Sequence, residues 1–387
     1  MEIDYKQWIA GIRKEIREIS AAELAAVPGT SPIIIDVRQP EECEQGSIPG
    51  ALLIPRGQLE GAVGDLIADP QTDIVLYCSV GERSALAAHS LGLLGYRNVA
   101  SLAEGFEGWK RAGQPWSVPD VLPVDQRARY SRHLLLPGVG DQGQRRLLAS
   151  KVVVIGAGGL GSPAALYLAA AGIGTLGIVD FDVVDATNLQ RQILHNSERL
   201  GRRKVDSAHQ TLTALNPDVH VVAIAEQLAA DNVLDILDGY DVVVDGADNF
   251  PTRYLVNDAS LHLRTPVVHG SVFRFEGQAS VFAPYAGPCY RCLFPEPPPP
   301  ELAPSCAEAG VLGVVPGIIG SIQAVEAIKL LLGIGRPLVG KLLTYDALDQ
   351  DFRVLNVRRD PECVACSDEE RLPTIVDYDQ FCVPAGR

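Results

Sequence analysis

Three groups of residues in this 387-residue chain have types and spacings suited to chemistry. The first is Gly156, Gly158, Gly159 and Gly161, which directly follow the apolar run 152–155. Without Cβ atoms, such a turn lets backbone N–H groups approach a phosphate, and a helix behind it adds N-terminal donors and the positive end of its dipole. The second is two cysteine pairs, Cys289-Tyr290-Arg291-Cys292 and Cys363-Val364-Ala365-Cys366. Four thiolates suit tetrahedral Zn2+, each CxxC turn offering two ligands. A redox-active pair is the rival reading, but no thioredoxin-like context accompanies either. The third is Cys78, placed between the apolar run 74–77 and Ser79-Val80-Gly81-Glu82-Arg83-Ser84. A cysteine between a strand end and a helix start faces successive backbone N–H groups. That setting lowers a thiol pKa from ~8.5 into the range ~3.5–7.5, and Arg83 adds positive charge to the loop. Cys43 has no such context and reads as inert.

The elements that must position these groups follow from apolar patterning. Residues 152–155 read as a buried parallel strand and 163–171 as a helix with Pro163 at a tolerated early position. Residues 175–179 are a second strand ending at Asp180. Gly156-x-Gly158-x-x-Gly161 with Asp180 fits the dinucleotide fingerprint, so on these residues an NAD-dependent oxidoreductase and an ATP-using enzyme both stay open. No GxxxxGK[ST] sequence is present, so ATP would not be held by a P-loop. A third strand, 241–244, runs into Asp245-Gly246-Ala247-Asp248-Asn249. Upstream, the strands 33–38 and 74–77 and the helix 85–94 make a smaller α/β domain. The stretch 118–123 carries two prolines and reads as a linker. Residues 310–332 read as a glycine-rich turn and an apolar helix, serving as core or dimer interface.

Composition narrows the classes. An apolar content of 47% with moderate charge is that of a soluble globular protein. A net charge of -15 argues against a nucleic-acid or anionic-membrane surface. Residues 152–179 are uncharged for long enough to cross a bilayer, but glycines and a proline interrupt them, so a buried βαβ unit is expected. The opening MEIDYK is acidic and unlike a signal peptide. With eight cysteines, this points to a reducing cytoplasmic setting and to cysteines used for metal or chemistry.

The loop Cys78 to Ser84 resembles the active-site loop of rhodanese-like sulfurtransferases, which carry sulfur as a cysteine persulfide. Asp36-Val37-Arg38 with Glu41-Glu42, then Gly46-Ser47-Ile48-Pro49-Gly50-Ala51, resembles a second signature of that family, in which His is usual at the place of Ser47. Gly105-Phe106-Glu107-Gly108-Trp109 resembles its closing segment. Cysteine-dependent phosphatases resemble the loop too, but need five residues between Cys and Arg; here four separate Cys78 from Arg83, a tighter ring suited to one persulfide sulfur. The resemblance covers nearly all of 1–119, the first domain.

Residues 120–387 form the second. GAGGLG, DFD (180–182), NLQRQ (188–192), GRRK (201–204) and GADN (246–249), in that order, resemble the adenylation domain of the MoeB/ThiF family, relatives of ubiquitin-activating enzymes. This favours ATP over NAD, because adenylation must neutralise a triphosphate and stabilise the expelled pyrophosphate. The resemblance implies a Rossmann-like domain in which Gly156, Gly158, Gly159 and Gly161 form the nucleotide turn. Asp180 accepts from the ribose, Arg191 and Lys204 hold the phosphates, Asn188 belongs to the nucleotide-binding set, Asp248 ligates Mg2+ and Asn249 borders the nucleotide. It implies Zn2+ on Cys289, Cys292, Cys363 and Cys366. Arg132 matches an arginine donated across a homodimer into the partner's ATP site. Cys306 matches the cysteine of a crossover loop, used covalently by some members and dispensable in others.

The activity implied is adenylation of the C-terminal glycine of a small ubiquitin-like sulfur carrier ending in Gly-Gly. Sulfur transfer from a Cys78 persulfide then gives a carrier thiocarboxylate for molybdopterin or related sulfur-containing cofactors. Thiosulfate or a cysteine desulfurase would be the sulfur donor. The alternative is adenylation alone, with the rhodanese-like domain as a docking module. The segment 375–382 resembles the stretch that precedes the rhodanese domain in relatives that carry it last, whereas here it comes first.

Overall fold

The computed structural model describes residues 4–27, 32–43, 45–118, 122–297 and 310–378. The chain divides into two compact units, Met1–Arg129 and Tyr130–Arg387. The division falls beyond the proline-bearing stretch, because the helix Val124–Arg129 belongs with the first unit.

The first unit is built on a five-stranded parallel sheet of β1 (Arg17–Ile19), β2 (Ile33–Asp36), β3 (Leu52–Leu53), β4 (Ile74–Tyr77) and β5 (Val99–Leu102), in the order β1-β5-β4-β2-β3. All four residues of the central β4 are buried, as expected of a parallel strand covered on both faces. Strand β2 stops at Asp36 rather than at 38. The Asp36 carboxylate accepts from the Arg38 N–H at 3.0 Å and turns the chain, and the Arg38 guanidinium folds back onto the same carboxylate. The helix behind the cysteine loop runs Glu82–Leu93, so it begins earlier than 85 and takes Arg83 and Ser84 into its first turn. Gly81 makes that start possible: its φ is +91°, and a Cβ there would lie 2.0 Å from the Ala103 carbonyl oxygen.

The second unit holds an eight-stranded sheet of β6 (Lys151–Ile155), β7 (Thr175–Val179), β8 (His220–Ile224), β9 (Val242–Asp245), β10 (Val267–Phe273), β11 (Glu276–Phe282), β12 (Lys341–Asp346) and β13 (Asp351–Asn356). The order is β13-β12-β11-β10-β9-β6-β7-β8, parallel from β8 to β10 and antiparallel from β10 to β13. Val152, Val153 and Val154 are fully buried, each adding about 1.5–3 kcal/mol of hydrophobic stabilisation. The apolar stretch from β6 to β7 is the expected βαβ unit, with the helix Gly161–Ala171 between the strands. Among the described residues one helix, Val314–Leu332, is long and apolar enough to cross a membrane. It packs on the helix Gly161–Ala171 and on β10, with Val315, Ile319, Ala324 and Ala327 inside the main core.

Candidate functional site

Strand β6 has β7 on one side and β9 on the other, so the connections leaving it diverge. In parallel α/β sheets such a switch point opens a crevice at the carboxyl ends of the strands. An open cavity lies there, the place where ligands bind in such sheets. Gly156, Gly158, Gly159, Asp180, Arg191, Lys204, Asp248 and Asn249 all line it. Gly161 and Asn188 stand one step back. A Cβ on Gly161 would lie 1.8 Å from the Gly156 carbonyl oxygen, so this glycine permits the turn. Asn188 Oδ1 accepts from Arg191 Nη2 at 3.0 Å and orients that guanidinium.

The cavity's charges are held in place by backbone and ion pairs. Asp180 Oδ2 accepts from the Ala157 N–H and Oδ1 from the Asp182 N–H, both at 2.8 Å. Each oxygen keeps a lone pair for a ligand hydroxyl. Lys204 opens the helix Lys204–Leu215 and is only 5% exposed. Its Nζ donates to Asp182 Oδ2 at 2.8 Å and lies 3.9 Å from Asp180 Oδ2. Asn249 caps the helix Phe250–Leu263 by accepting from the Thr252 N–H at 2.9 Å, and its Nδ2 lies 3.4 Å from Asp248 Oδ1. Asp248 is exposed at this edge, a hard oxygen donor of the kind Mg2+ takes.

The loop bearing Asp248 is fixed by buried side chains that carry no motif. Asp245 Oδ1 accepts from the Ala247 N–H at 3.0 Å, and Oδ2 lies 2.7 Å from His269 Nδ1. Burial pushes the His269 pKa down, so the ring is neutral and donates from Nδ1. Gln323 Nε2 donates to the carbonyls of Asp245 at 2.7 Å and Val268 at 3.0 Å. Two further buried polar side chains line the cavity, Gln192 and Arg253. The signal for Gln323 was a polar residue inside an apolar helix run, which demands a buried partner. His269 and Arg253 gave none that spacing could reveal.

In the first unit, Cys78 is buried at the end of β4. The Gly81 N–H donates to its Sγ at 3.2 Å, and Ser84 Oγ lies 3.7 Å away. The Phe106 N–H donates to the Cys78 carbonyl at 2.7 Å, joining the loop to 105–109. Arg83 is more constrained than a loose loop charge: its guanidinium donates to both Glu42 carboxylate oxygens, at 2.7 and 2.6 Å, and to Ser79 Oγ at 3.1 Å. The same contacts hold the Glu42 carboxyl down at about 2, chiefly through Arg83. Cys43 agrees with its inert reading. Its thiol donates to Asp36 Oδ2 at 3.2 Å, and burial pushes it up to about 12.

A pH prediction follows from Glu42. A carboxyl whose folded pKa is depressed lends stability that is full above its ordinary value of 4.5 and gone once pH falls through about 2. Glu42→Gln is expected to melt below wild type near neutral pH, with the gap closing as pH falls toward ~3. Thermal unfolding of both proteins checks this; a gap that does not change with pH contradicts it.

The paired cysteines converge. Sγ–Sγ distances are 3.9 Å for Cys289–Cys292, 3.6 Å for Cys289–Cys363 and 3.5 Å for Cys292–Cys366, and all four sulfurs lie within 4.8 Å of one another. Ligands ~2.3 Å from a tetrahedral Zn2+ stand ~3.8 Å apart, so the donor set fits that ion. Disulfide sulfurs would stand ~2.05 Å apart. The first pair is not in a plain loop: Cys289 caps the short helix Tyr290–Leu293 and Cys292 lies within it. Between them, Arg291 pairs with Asp258 at 2.8 Å, which ties the cluster to the helix Phe250–Leu263. Arg132 lies exposed in the short helix Ser131–Leu134, away from the cavity lining. Cys306, the proline run 298–300 and residues 379–382 lie outside the described residues.

Comparison with known proteins follows this division. A model of the ThiF family matches residues 130–365, and a model of the rhodanese-like domain matches residues 20–112. The chain is 54% identical over 259 residues to a sulfur carrier protein adenylyltransferase of Thermus thermophilus, an alignment covering 66% of this chain and 96% of that protein. It is 52% identical over 266 residues to the probable adenylyltransferase/sulfurtransferase MoeZ of Mycobacterium tuberculosis, covering 68% of this chain and 66% of MoeZ. Among solved structures, E. coli MccB with AMPCPP and selenomethionine MccA superposes with a TM-score of 0.56 at 23% identity, over 62% of this chain and 74% of that one. At that identity the likeness is one of fold.

Proposed function

We propose that this chain, which belongs to the ThiF family, carries a rhodanese-like domain ahead of the ThiF one and is an enzyme of the adenylyltransferase and sulfurtransferase kind, activates the C-terminal carboxylate of a small ubiquitin-like sulfur carrier with ATP and converts it to a thiocarboxylate. The observation that carries the proposal is the convergence of the glycine turn with Asp180, Arg191, Lys204 and Asp248 around one cavity. Backbone N–H groups of Gly158 and Gly159 approach the nucleotide, and Asp180 accepts from its ribose. Arg191 and Lys204 neutralise phosphate oxygens. Mg2+ held at Asp248 would offset the remaining triphosphate charge. The carrier carboxylate oxygen attacks the α-phosphorus, the bond from that phosphorus to the bridging oxygen breaks, and pyrophosphate departs with the electron pair. The cations stabilise the charge that develops.

Sulfur follows from Cys78. Its thiolate takes the sulfane sulfur of thiosulfate, releasing sulfite, or receives sulfur from a cysteine desulfurase. The terminal persulfide sulfur attacks the acyl carbon and expels AMP. A second thiol then cleaves the resulting acyl-disulfide, forming a disulfide with Cys78 and freeing the thiocarboxylate. Cys306 is the candidate for that thiol. In a homodimer Arg132, which is exposed, would be free to reach the partner's nucleotide. The product serves molybdopterin or a related sulfur-containing cofactor in the cytoplasm, with no nucleic-acid or membrane partner. The direct test is to incubate the protein with ATP, thiosulfate and a carrier ending in Gly-Gly, then weigh the carrier. A carrier that never gains the mass of sulfur-for-oxygen exchange refutes the proposal.

The Cys289, Cys292, Cys363 and Cys366 cluster supports a structural Zn2+, which would supply a closed four-thiolate crosslink. About one zinc per chain is expected by elemental analysis. Cys289→Ser is expected to lose it and to melt ~10 °C lower, reflecting a loss of ~4 kcal/mol. Folded protein that survives should still adenylate. Metal-free wild type of unaltered Tm would overturn the assignment.

A further inference from the structure

Among the described residues, three other buried or largely buried cations have carboxylate partners. Lys204 has Asp182, Arg38 has Asp36 and Arg291 has Asp258. Arg253 stands apart. It lies in the helix Phe250–Leu263, lines the nucleotide cavity and is 9% exposed. Nη2 donates to the Ala247 carbonyl at 3.0 Å, and the Phe250 ring centroid is 5.3 Å away. Its Nε–H has no hydrogen-bond partner among the described residues. No carboxylate there forms an ion pair with it, and Asp245, the acid of the adjoining loop, gives one oxygen to the Ala247 N–H and the other to His269. The neighbouring side chains His269 and Tyr290 supply no carboxylate, the Tyr290 hydroxyl being a hydrogen-bonding neighbour of the guanidinium.

A charge left without an anion at this depth is strongly unfavourable unless something else supplies one. The cavity side is where an anion can arrive. The Ala247 tether holds the guanidinium against the loop whose Gly246 N–H donates to Ile155 at 2.9 Å, at the base of the glycine turn. We propose that Arg253 is an anion receptor of the nucleotide cavity, its unpartnered Nε–H and its charge taking an oxyanion of the reacting substrates. This rests on the reading that the cavity takes ATP. The oxyanion is either a nucleotide phosphate or the carboxylate of the acyl substrate. Both satisfy the same donor and the same charge, and both must meet near Asp248 for the reaction to occur.

Calorimetric titration of the full chain with ATP and with adenosine, beside carrier-dependent pyrophosphate exchange, separates these cases for wild type, Arg253→Gln and Arg253→Lys. If phosphate is the ligand, Arg253→Gln weakens ATP binding roughly 10- to 100-fold, leaves adenosine binding unchanged, and Arg253→Lys recovers part of the loss. If the carboxylate is the ligand, ATP and adenosine bind as before, and the carrier KM in exchange rises by a similar factor. Wild-type binding and exchange in both variants overturn the proposal. So does an equal loss of ATP and adenosine that Arg253→Lys does not repair, which marks a merely structural residue. Wild type that binds no ATP at all refutes the parent reading instead.

Discussion

Lys204→Ala and Asp248→Ala are each expected to reduce carrier-dependent ATP–pyrophosphate exchange by ~10³-fold or more, about the largest effect of a single charge-stabilising group. For Lys204 the size follows from its surroundings. The ammonium is buried between Asp182 and Asp180. Truncation therefore removes a cation and also leaves two carboxylates facing an incoming triphosphate, so attraction becomes repulsion. Lys204→Arg keeps the charge and is expected to retain some activity. Asp248 is exposed, and its loop is fixed independently by Asp245, His269 and Gln323. Its removal should leave the Tm nearly unchanged while exchange is lost. Exchange in either alanine variant above roughly a tenth of wild type contradicts the assigned roles. A mixture of inactive Arg132→Ala and inactive Lys204→Ala chains should recover activity if Arg132 acts in the partner's site. A mixture shown to exchange subunits that stays inactive removes the shared-site claim.

Cys78→Ala is expected to leave pyrophosphate exchange at the wild-type rate and to abolish thiocarboxylate formation from thiosulfate. Exchange requires cations and a positioned carboxylate, and Cys78 belongs to a separate compact unit from the residues that supply them. Sulfur transfer needs a nucleophilic sulfur held in a loop with donors, as at the Gly81 N–H and Ser84. Arg83→Ala should be milder, with a fall of ~10-fold, because it removes one charge and leaves the backbone donor. Loss of thiocarboxylate in Cys306→Ala with exchange intact would identify that residue as the second thiol. Full sulfuration by Cys78→Ala from thiosulfate would leave the rhodanese-like domain with a docking role only.

Much of this was legible in the sequence because the chemistry is local there. The glycine turn, its flanking strands and the two CxxC pairs are short patterns whose physics acts within a few residues, and β4 and β7 have the expected bounds. The misplaced ends have local causes that residue types do not show: a carboxylate turning the chain after β2, and a left-handed Gly81 starting its helix early. What escaped was the support assembled across the chain. His269 reaches Asp245 from the next strand, Gln323 reaches the same loop from a late helix, and Glu42 clamps Arg83 across the cysteine loop. Such partners are defined by the finished packing, and no spacing announces them. Asn188 shows the reverse: the motif names it beside Arg191, and its place is behind that side chain rather than on the cavity.

The strand order has a consequence for how the chain is made. During synthesis β6, β7 and β8 emerge together and can pair, but the other edge of β6 stays open until residues 242–245 leave the ribosome, because its neighbour there is β9. Throughout that interval a row of unpaired valine backbone is offered to any passing strand, the condition under which nascent chains aggregate or recruit chaperones. The nucleotide crevice is completed later still, since Val272, Val311 and Pro316 line it as well. Arrested nascent chains should therefore bind ATP only when stalled well past Pro316, and ATP should then stabilise them by mass action.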